Sequence, residues 1–145
     1  TSEHTVLRQY ILPSLLRLLA ANRHHELPQR VYEMGIVVRG SINAERGSWA
    51  CAEVGSGFTS AKGIAQAMLR DMGAIAEEVE FESTGAGQGP WIQGRGSKII
   101  VKGEVIGEFG EVSPEVSGMY GLKSPIQAGE IDLDLVAKII PDPVI

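Results

Sequence analysis

The segment from residue 94 to residue 116 constrains the fold most, because its pattern predicts a β-hairpin that runs directly into a capped helix. Two runs rich in β-branched residues flank residues 102–104, and the glycine among them can adopt the positive φ of a tight hairpin turn. Ser113 can supply an N-cap oxygen, and Pro114 stands at the first helical position, where a missing N–H costs nothing. The sequence therefore predicts two antiparallel strands and a short helix that is over by Gly121.

Apolar residues at helical spacing predict two amphipathic helices elsewhere in the chain. Residues 13–22 place leucines on a broad apolar face, with Pro13 at the start and Asn22 near the end. Thr59 is a candidate N-cap for the second helix, and Gly73 is its expected C-terminal glycine. The apolar face of this second helix consists of Ala61, Ile64, Ala65, Met68, Leu69 and Met72.

Alternating or continuous apolar runs predict strands outside the hairpin as well. The predicted strands are residues 30–38, 48–54, 79–82 and 126–135, and residues 40–47 are predicted to form a loop. Strands joined by hairpins and mixed with helices are typical of a mostly antiparallel sheet flanked by helices. Because no internal repeat or linker divides the chain, the sequence predicts one α+β domain over residues 1–145.

Composition narrows the functional classes. The net charge of −5 and the sequence pI near 5.2 argue against a free-standing nucleic-acid binder that relies on neutralising phosphates. The single cysteine, Cys51, cannot form an internal disulfide, which favours a reducing cytoplasm, and its strand context predicts a small buried hydrophobe. No apolar run approaches the ~20 residues that a membrane-spanning helix needs. The start of the chain lacks an initiator methionine, and we expect an excised piece of a longer protein.

Two segments invite a binding interpretation. Residues 55–60 are rich in glycine and serine and precede a helix, but they lack the spacing of a dinucleotide or P-loop motif, so a helix entry turn is the better interpretation. The cluster His24-His25-Glu26 lacks the i, i+4 spacing with which two histidines bind one metal on a helix. A solvated helix end, where cationic groups suit the helix dipole, is expected there instead.

Paired carboxylates are the other candidates for chemistry. Glu111 with Glu130, or Glu104 with Glu108, could form an acid/base pair, although surface carboxylates are the commoner outcome. We predict no catalytic, cofactor-binding or metal-binding residue from these patterns.

Two further residue sets have structural interpretations. The basic residues Lys62, Arg70 and Arg95 are too scattered in sequence to predict a nucleic-acid patch. Gly107 and Gly110 lie inside a predicted strand, which indicates a bulge or a close backbone approach.

Several motifs follow one another in an order that can be compared with known families. The hairpin region contains Gly-Arg, a strand, a Gly-Glu turn, then Gly-x-x-Gly-Glu and Pro-Glu-Val. The other segments are residues 6–16, 22–35, 58–63, 91–95 and 129–133. In this order they resemble the C-terminal part of the catalytic-like domain in the phenylalanyl-tRNA synthetase β subunit, in its archaeal or eukaryotic-like form. One departure is the glycine-rich segment 85–90, which stands where a histidine-proline is expected.

The resemblance implies a class II aminoacyl-tRNA synthetase fold without working catalytic residues. It implies that the α subunit activates phenylalanine with ATP and magnesium and transfers it to tRNA in the cytoplasm, within a heterotetramer. This chain would be a scaffold and subunit interface that binds no cofactor itself and meets tRNA only through the full complex. Leu15, Leu18 and Leu19 are the candidate interface residues, with the alternative that they cover their own sheet.

Two other functions and one further association stay open at this stage. A degenerate synthetase-like domain could itself bind ATP or an amino acid, although Arg30 and Glu33 are three residues apart and point to opposite faces of a strand. A tRNA-binding module is disfavoured by the acidic balance. The isolated chain could also associate with a second copy if a sheet edge is exposed.

Overall fold

The computed structural model describes residues 10–22, 26–39, 42–85 and 89–140, which form a mostly antiparallel sheet flanked by helices. The elements are α1 (Leu12–Ala21), β1 (Gln29–Arg39), β2 (Ile42–Ala52), α2 (Phe58–Asp71), a 3-10 turn (Ala76–Glu78), β3 (Val79–Ser83), β4 (Trp91–Val101), β5 (Glu104–Val112), α3 (Pro114–Gly118), β6 (Ile126–Asp132) and α4 (Leu133–Ile139). The six strands form one sheet in the order β1-β2-β6-β5-β4-β3. The predicted α+β architecture is confirmed.

The hairpin and its capped helix are present as predicted. Lys102 and Gly103 occupy the left-handed region with φ of 52° and 80°, as a two-residue hairpin turn that matches the strand twist requires. The Ser113 hydroxyl accepts a hydrogen bond from the Glu115 N–H at 3.3 Å, and α3 begins at Pro114. The chain leaves α3 through Gly121, whose φ is 72°.

Both amphipathic helices are confirmed, and one predicted cap is wrong. Gly73 follows α2 with a φ of 95°, which fits a C-terminal glycine. However, α2 begins at Phe58 with Gly57 as its N-cap, and no side chain caps it. Gly57 is the last residue with an extended backbone before the helix, so Thr59 lies inside the first turn and is not the N-cap.

The loop predicted over residues 40–47 is wrong for most of its length. β2 begins at Ile42 and pairs with β1 along the whole of both strands, from Gln29 with Ala52 to Arg39 with Ile42. The polar composition of this segment is typical of a loop, but backbone hydrogen bonds to β1 hold it in a strand. Gly40 and Ser41, between the two strands, lie outside the described residues.

The last predicted strand ends earlier than expected. β6 stops at Asp132, whose carboxylate accepts a hydrogen bond from the Leu135 N–H at 3.0 Å and so caps α4. An aspartate at this position satisfies an N–H that the first helical turn leaves free. The prediction of a strand to residue 135 missed this capping signal.

The sheet is covered on both faces. On the face that we call the α1 face, the buried core joins α1 to apolar residues of β2, β5 and β6. On the opposite face, called the α2 face, the core joins α2 to Trp49, Ile99, Phe109 and other sheet residues. The Phe109 ring stacks on Phe58 at a centroid distance of 5.5 Å and meets Phe81 edge-on at 5.3 Å. Cys51 is buried, as predicted.

The two strand glycines mark close backbone approaches, as predicted. A Cβ placed on Gly107 would clash with the carbonyl oxygen of Glu130, and one placed on Gly110 would clash with that of Arg95. Only glycine fits where neighbouring backbones come this near.

Candidate functional site

One cross-strand row of the α1 face is polar from one edge of the sheet to the other. Directly opposed residues of paired strands share a face, so the pairing register joins them into a continuous line. We call this line the polar row, and its members in spatial order are Glu33, Ser48, Glu130, Glu108, Lys98 and Glu82.

The neighbouring row is small and apolar, and it explains where α1 sits. It contains Val31, Ala50, Ala128, Gly110 and Gly96. A Cβ on Gly96 would lie 2.7 Å from Cδ1 of Trp91, so that ring rests directly on the glycine backbone. The small residues admit α1 and the indole, and the polar row lies beyond the start of the helix.

Glu130 is the most deeply buried member of the polar row, with no accessible surface. Its Oε1 accepts a hydrogen bond from the Leu12 N–H at 2.6 Å, at the first residue of α1. Its Oε2 lies 3.2 Å from Nε of Arg46, which is also buried. This is a charge contact, because the two atoms are not aligned for a hydrogen bond. The carboxylate thus compensates both the free N–H and the positive end of the helix dipole.

Burial controls the protonation of this cluster. Desolvation raises the pKa of Glu130 to about 7, although Arg46 and the backbone N–H groups of α1 favour the charged form. Burial also raises the pKa of Tyr10 well above its usual range, with the charge of Glu108 and a hydrogen bond to it acting in the same direction. Glu108 in addition accepts a hydrogen bond from Nε1 of Trp91 at 3.2 Å. The cluster therefore holds a carboxyl group that can change protonation near neutral pH.

Strand pairing brings Glu130 opposite Glu108, and not beside Glu111 as in the acid/base pair that the sequence left open. Side chains two residues apart on a strand share a face. Glu111 therefore lies on the α2 face with Phe109, opposite Gln127, whereas Glu130 lies on the α1 face with Ala128, opposite Glu108. The expectation that Glu111 and Glu130 are surface carboxylates is wrong, because both are buried. Glu104 is exposed at the hairpin turn. The sequence signal for a buried carboxylate was that Glu130 directly follows the uncharged residues 126–129 of β6.

The α2 face carries a second polar cluster around Glu111. Nη1 of Arg95 donates to this carboxylate at 3.2 and 3.3 Å, and Nε2 of Gln127 donates to it at 3.4 Å. A Cβ on Gly57 would lie 3.9 Å from Glu111 Oε1, so the carboxylate stands beside the start of α2. A bound phosphate would meet this negative charge, which favours the interpretation of residues 55–60 as a helix entry turn.

The three candidate interface leucines have different surroundings. Leu15 and Leu19 are each 1% exposed and belong to the core beneath α1, whereas Leu18 is 45% exposed. Within this chain, Leu15 and Leu19 cover their own sheet. A subunit interface on α1 stays a prediction, and Leu18 is the leucine of the three that can reach a partner directly.

The remaining candidate residues are the basic residues and the histidine cluster. Lys62 and Arg70 line a cavity of about 530 Å³ on the α2 side, whereas Arg95 pairs with Glu111. His24 and His25 lie outside the described residues. Among the residues that the structure does describe, no group of three His, Cys, Asp or Glu side chains could hold a metal ion. No helix in the described ranges has the length and apolar character that crossing a membrane takes.

Comparison with known proteins decides the family. The family model of the phenylalanyl tRNA synthetase beta chain CLM domain matches residues 1–133. The chain belongs to this family. It is 39% identical over 133 residues to the phenylalanine–tRNA ligase beta subunit of Archaeoglobus fulgidus, and 37% identical over 138 residues to that of Methanopyrus kandleri. These matches cover 92% and 90% of this chain but 23% of each relative, so the chain spans about a quarter of their length.

A solved structure shows the same fold. The pyrrolysyl tRNA synthetase PylSc of Desulfitobacterium hafniense is similar with a TM-score of 0.74 over 91% of this chain and 49% of that one. The sequence identity is 13%, so the likeness concerns the fold alone. The predicted class II synthetase-like fold and the predicted family are confirmed.

Proposed function

We propose that this chain is a non-catalytic scaffold and subunit-interface module of a phenylalanine–tRNA ligase. In this proposal the chemistry belongs to the α subunit, and the complete cytoplasmic heterotetramer uses ATP and magnesium. tRNA is met through the complex. The family membership supports the assignment to this ligase, since the relatives are named as its beta subunit.

The main observation in favour of the scaffold role is that the buried charges contact groups of this chain itself. Arg46 and Glu130 face each other at 3.2 Å, and the free side of the Glu130 carboxylate is bound by the first N–H of α1. These groups stabilise the junction of helix and sheet. A substrate that engaged them would have to replace contacts that hold α1 in place.

Leu18 is the residue through which α1 can contact the α subunit. It is the most exposed leucine of the helix, whereas the opposite side of α1 is buried in the core. A partner that covered this side chain would remove its apolar surface from water, which favours association.

Co-purification with the catalytic domain of the α subunit tests this proposal. We expect a stable heteromeric complex, and we expect Leu18→Glu to weaken it by about tenfold or more because a charge would enter an apolar contact. Val105→Glu, in the exposed hairpin of β4 and β5, is the matched control and leaves the complex unchanged. Failure to form any complex with the α subunit would contradict the proposal.

A ligand-binding role for the chain itself is the second candidate, and the polar row is the observation that favours it. Glu130, with a pKa raised to about 7, lies in this row together with Glu108 and Lys98. Calorimetric titration of the chain with ATP, phenylalanine and tRNA separately distinguishes the candidates. Binding of ATP or phenylalanine that Glu130→Gln abolishes would replace the scaffold role with a degenerate ligand-binding domain. Binding of tRNA alone would indicate a tRNA-binding module.

A further inference from the structure

The outer edge of the sheet carries an exposed apolar stripe. Tyr32, Met34 and Ile36 alternate along β1 on the α2 face and are 65%, 74% and 70% exposed. Tyr32 lies opposite the buried Trp49, which fixes the face to which the stripe belongs. We call these three residues the edge stripe.

The helices of the α2 face stop short of this edge. Leu133 of α4 covers Gly47 of β2, the residue opposite Met34, at 3.5 Å from a Cβ placed there. A groove of about 470 Å³ follows between Met34, Ile36 and Asp134. The edge stripe therefore lies beside the helical layer instead of beneath it.

Among the described residues, one side of the β1 backbone has no strand partner. β1 is the first strand in the sheet order, and within the described residues it pairs with β2 on one side only. Strands at an edge present a row of N–H and C=O groups, and proteins commonly protect them with proline or with charged side chains, lysine above all. Residues 29–39 contain no proline or lysine, and their charged residues are Arg30, Glu33 and Arg39. Such an edge fits another extended strand.

We propose that β1 is a docking surface for the β1 strand of a second copy of this chain, in antiparallel pairing centred on Met34. This register places Met34 opposite its own copy and Tyr32 opposite Ile36 of the other chain, so the two edge stripes cover each other. On the opposite face it places Val31 against Val37, and Glu33 against Gly35. Apolar and aromatic pairs of this kind stabilise neighbouring strands.

The charges of β1 select against the adjacent register. Pairing centred on Glu33 would set two carboxylates directly opposite each other, which is unfavourable. The register centred on Met34 contains no pair of like charges. A two-fold axis through the pair also gives a closed, self-complementary dimer instead of an open chain of copies.

The size and charge of the surface set the expected strength. One strand and three side chains bury less than the roughly 800 Å² per partner of a standard stable interface, so the dimer is weak. The net charge of −5 on each chain opposes association, and salt screens that repulsion. The dimer is therefore concentration-dependent and becomes stronger as salt increases.

Sedimentation equilibrium of the 145-residue chain over a wide concentration range tests the proposal. We expect reversible dimerisation, weakened by about tenfold or more in Met34→Lys, where two lysines would face each other across the axis. The matched control is Met119→Lys, at an exposed methionine after α3, which leaves dimerisation within about twofold of the original chain. Both positions are exposed, so we expect each variant to fold. Circular dichroism and thermal melting check this.

Cysteine cross-linking tests the register. Met34→Cys forms an intermolecular disulfide under mild oxidation, whereas Tyr32→Cys and Ile36→Cys each fail alone, because two-fold copies of either position are about 13 Å apart. A mixture of Tyr32→Cys and Ile36→Cys cross-links. The native Cys51 is buried and does not compete.

Three outcomes would overturn the proposal. They are a chain that stays monomeric at every concentration, a dimer that Met34→Lys leaves intact, and a cross-linking pattern without Met34→Cys. If β1 amides become protected from hydrogen exchange only when the α subunit is added, the edge belongs to that partner instead of to a second copy. That last result would leave the proposed subunit-interface function standing.

Discussion

At the scale of single residues, the protein stabilises a carboxyl group where burial alone would exclude a charge. Glu130 has no accessible surface, yet it lies 3.2 Å from Arg46 and accepts the Leu12 N–H. Desolvation outweighs these attractive contacts and raises its pKa to about 7. The unfolded chain has no such environment, so the group titrates near its ordinary value of 4.5 there.

This difference predicts a pH dependence of stability. Between about pH 4.5 and pH 7 the folded state binds the Glu130 proton more tightly than the unfolded state. The stabilisation from this group is therefore fully present below pH 4.5 and is lost as the pH rises towards 7, with a slope of at most about 1.4 kcal/mol per pH unit. Urea denaturation from pH 5 to pH 8 measures it. We expect Glu130→Gln to lose this slope and the exposed Glu80→Gln to retain it.

The ion pair itself gives a second prediction. Replacing Arg46 with methionine leaves the Glu130 carboxyl buried without its cation and is expected to lower the free energy of unfolding by about 3 kcal/mol at pH 8. The double variant Arg46→Met/Glu130→Leu removes both charges and is expected to recover most of this loss. Chemical denaturation of the two single variants and the double variant completes the cycle. Additive effects of the two substitutions would contradict a direct interaction.

At the scale of elements, strand pairing depends on glycines that the side-chain pattern alone would not place. Gly107 in β5 lies against the backbone of Glu130 in β6. Because Gly107 has no side chain, β5 and β6 can come this close, in the same register that aligns the polar row. The same paired strands therefore carry both the packing constraint and the buried carboxylate.

Gly107→Ala is expected to destabilise the protein by more than about 2 kcal/mol, because the added methyl group meets a backbone carbonyl that cannot move without disturbing β6. Gly63→Ala is the matched control, since Gly63 lies in the middle of α2 with open space around it. Alanine is the better helix former, so that variant is expected to gain about 0.5–1 kcal/mol. Thermal and urea denaturation compare the two. Equal effects would contradict the close approach at Gly107.

At the scale of the whole molecule, the two faces of the sheet and their helices form two separate cores. The same helix α1 contributes Leu16 to one core and exposes Leu18 on its outer side. The fold and the proposed interface can therefore be tested separately on neighbouring positions of a single helix.

Leu16→Ala is expected to lower the free energy of unfolding by about 2–5 kcal/mol, because it opens a cavity in a fully buried site. Leu18→Ala is expected to change it by less than about 0.5 kcal/mol, since the side chain is largely exposed. Urea denaturation provides both values. A large loss for Leu18→Ala would show that this residue supports the fold and would remove it from the proposed interface.

Local chemistry in the sequence was sufficient for much of the architecture. The turn at Lys102 and Gly103, the Ser113 cap and the C-terminal Gly73 depend on backbone preferences of a few neighbouring residues, and each was predicted. The start of β2 was missed, because its polar residues are held in a strand by pairing with β1. The end of β6 was missed although its signal, the Asp132 cap, is local.

The candidate site could be predicted only in part, because it depends on long-range register. The sequence by itself determined the α+β architecture, the motif order and the helical faces, since these follow from periodicity and local conformational preference. The tertiary structure alone decided that Glu130 meets Glu108 and Arg46 instead of Glu111, and that Leu15 and Leu19 are buried while Leu18 is exposed. Partners far apart in the chain are chosen by strand pairing and helix packing, and a side chain's burial depends on what those contacts place above it.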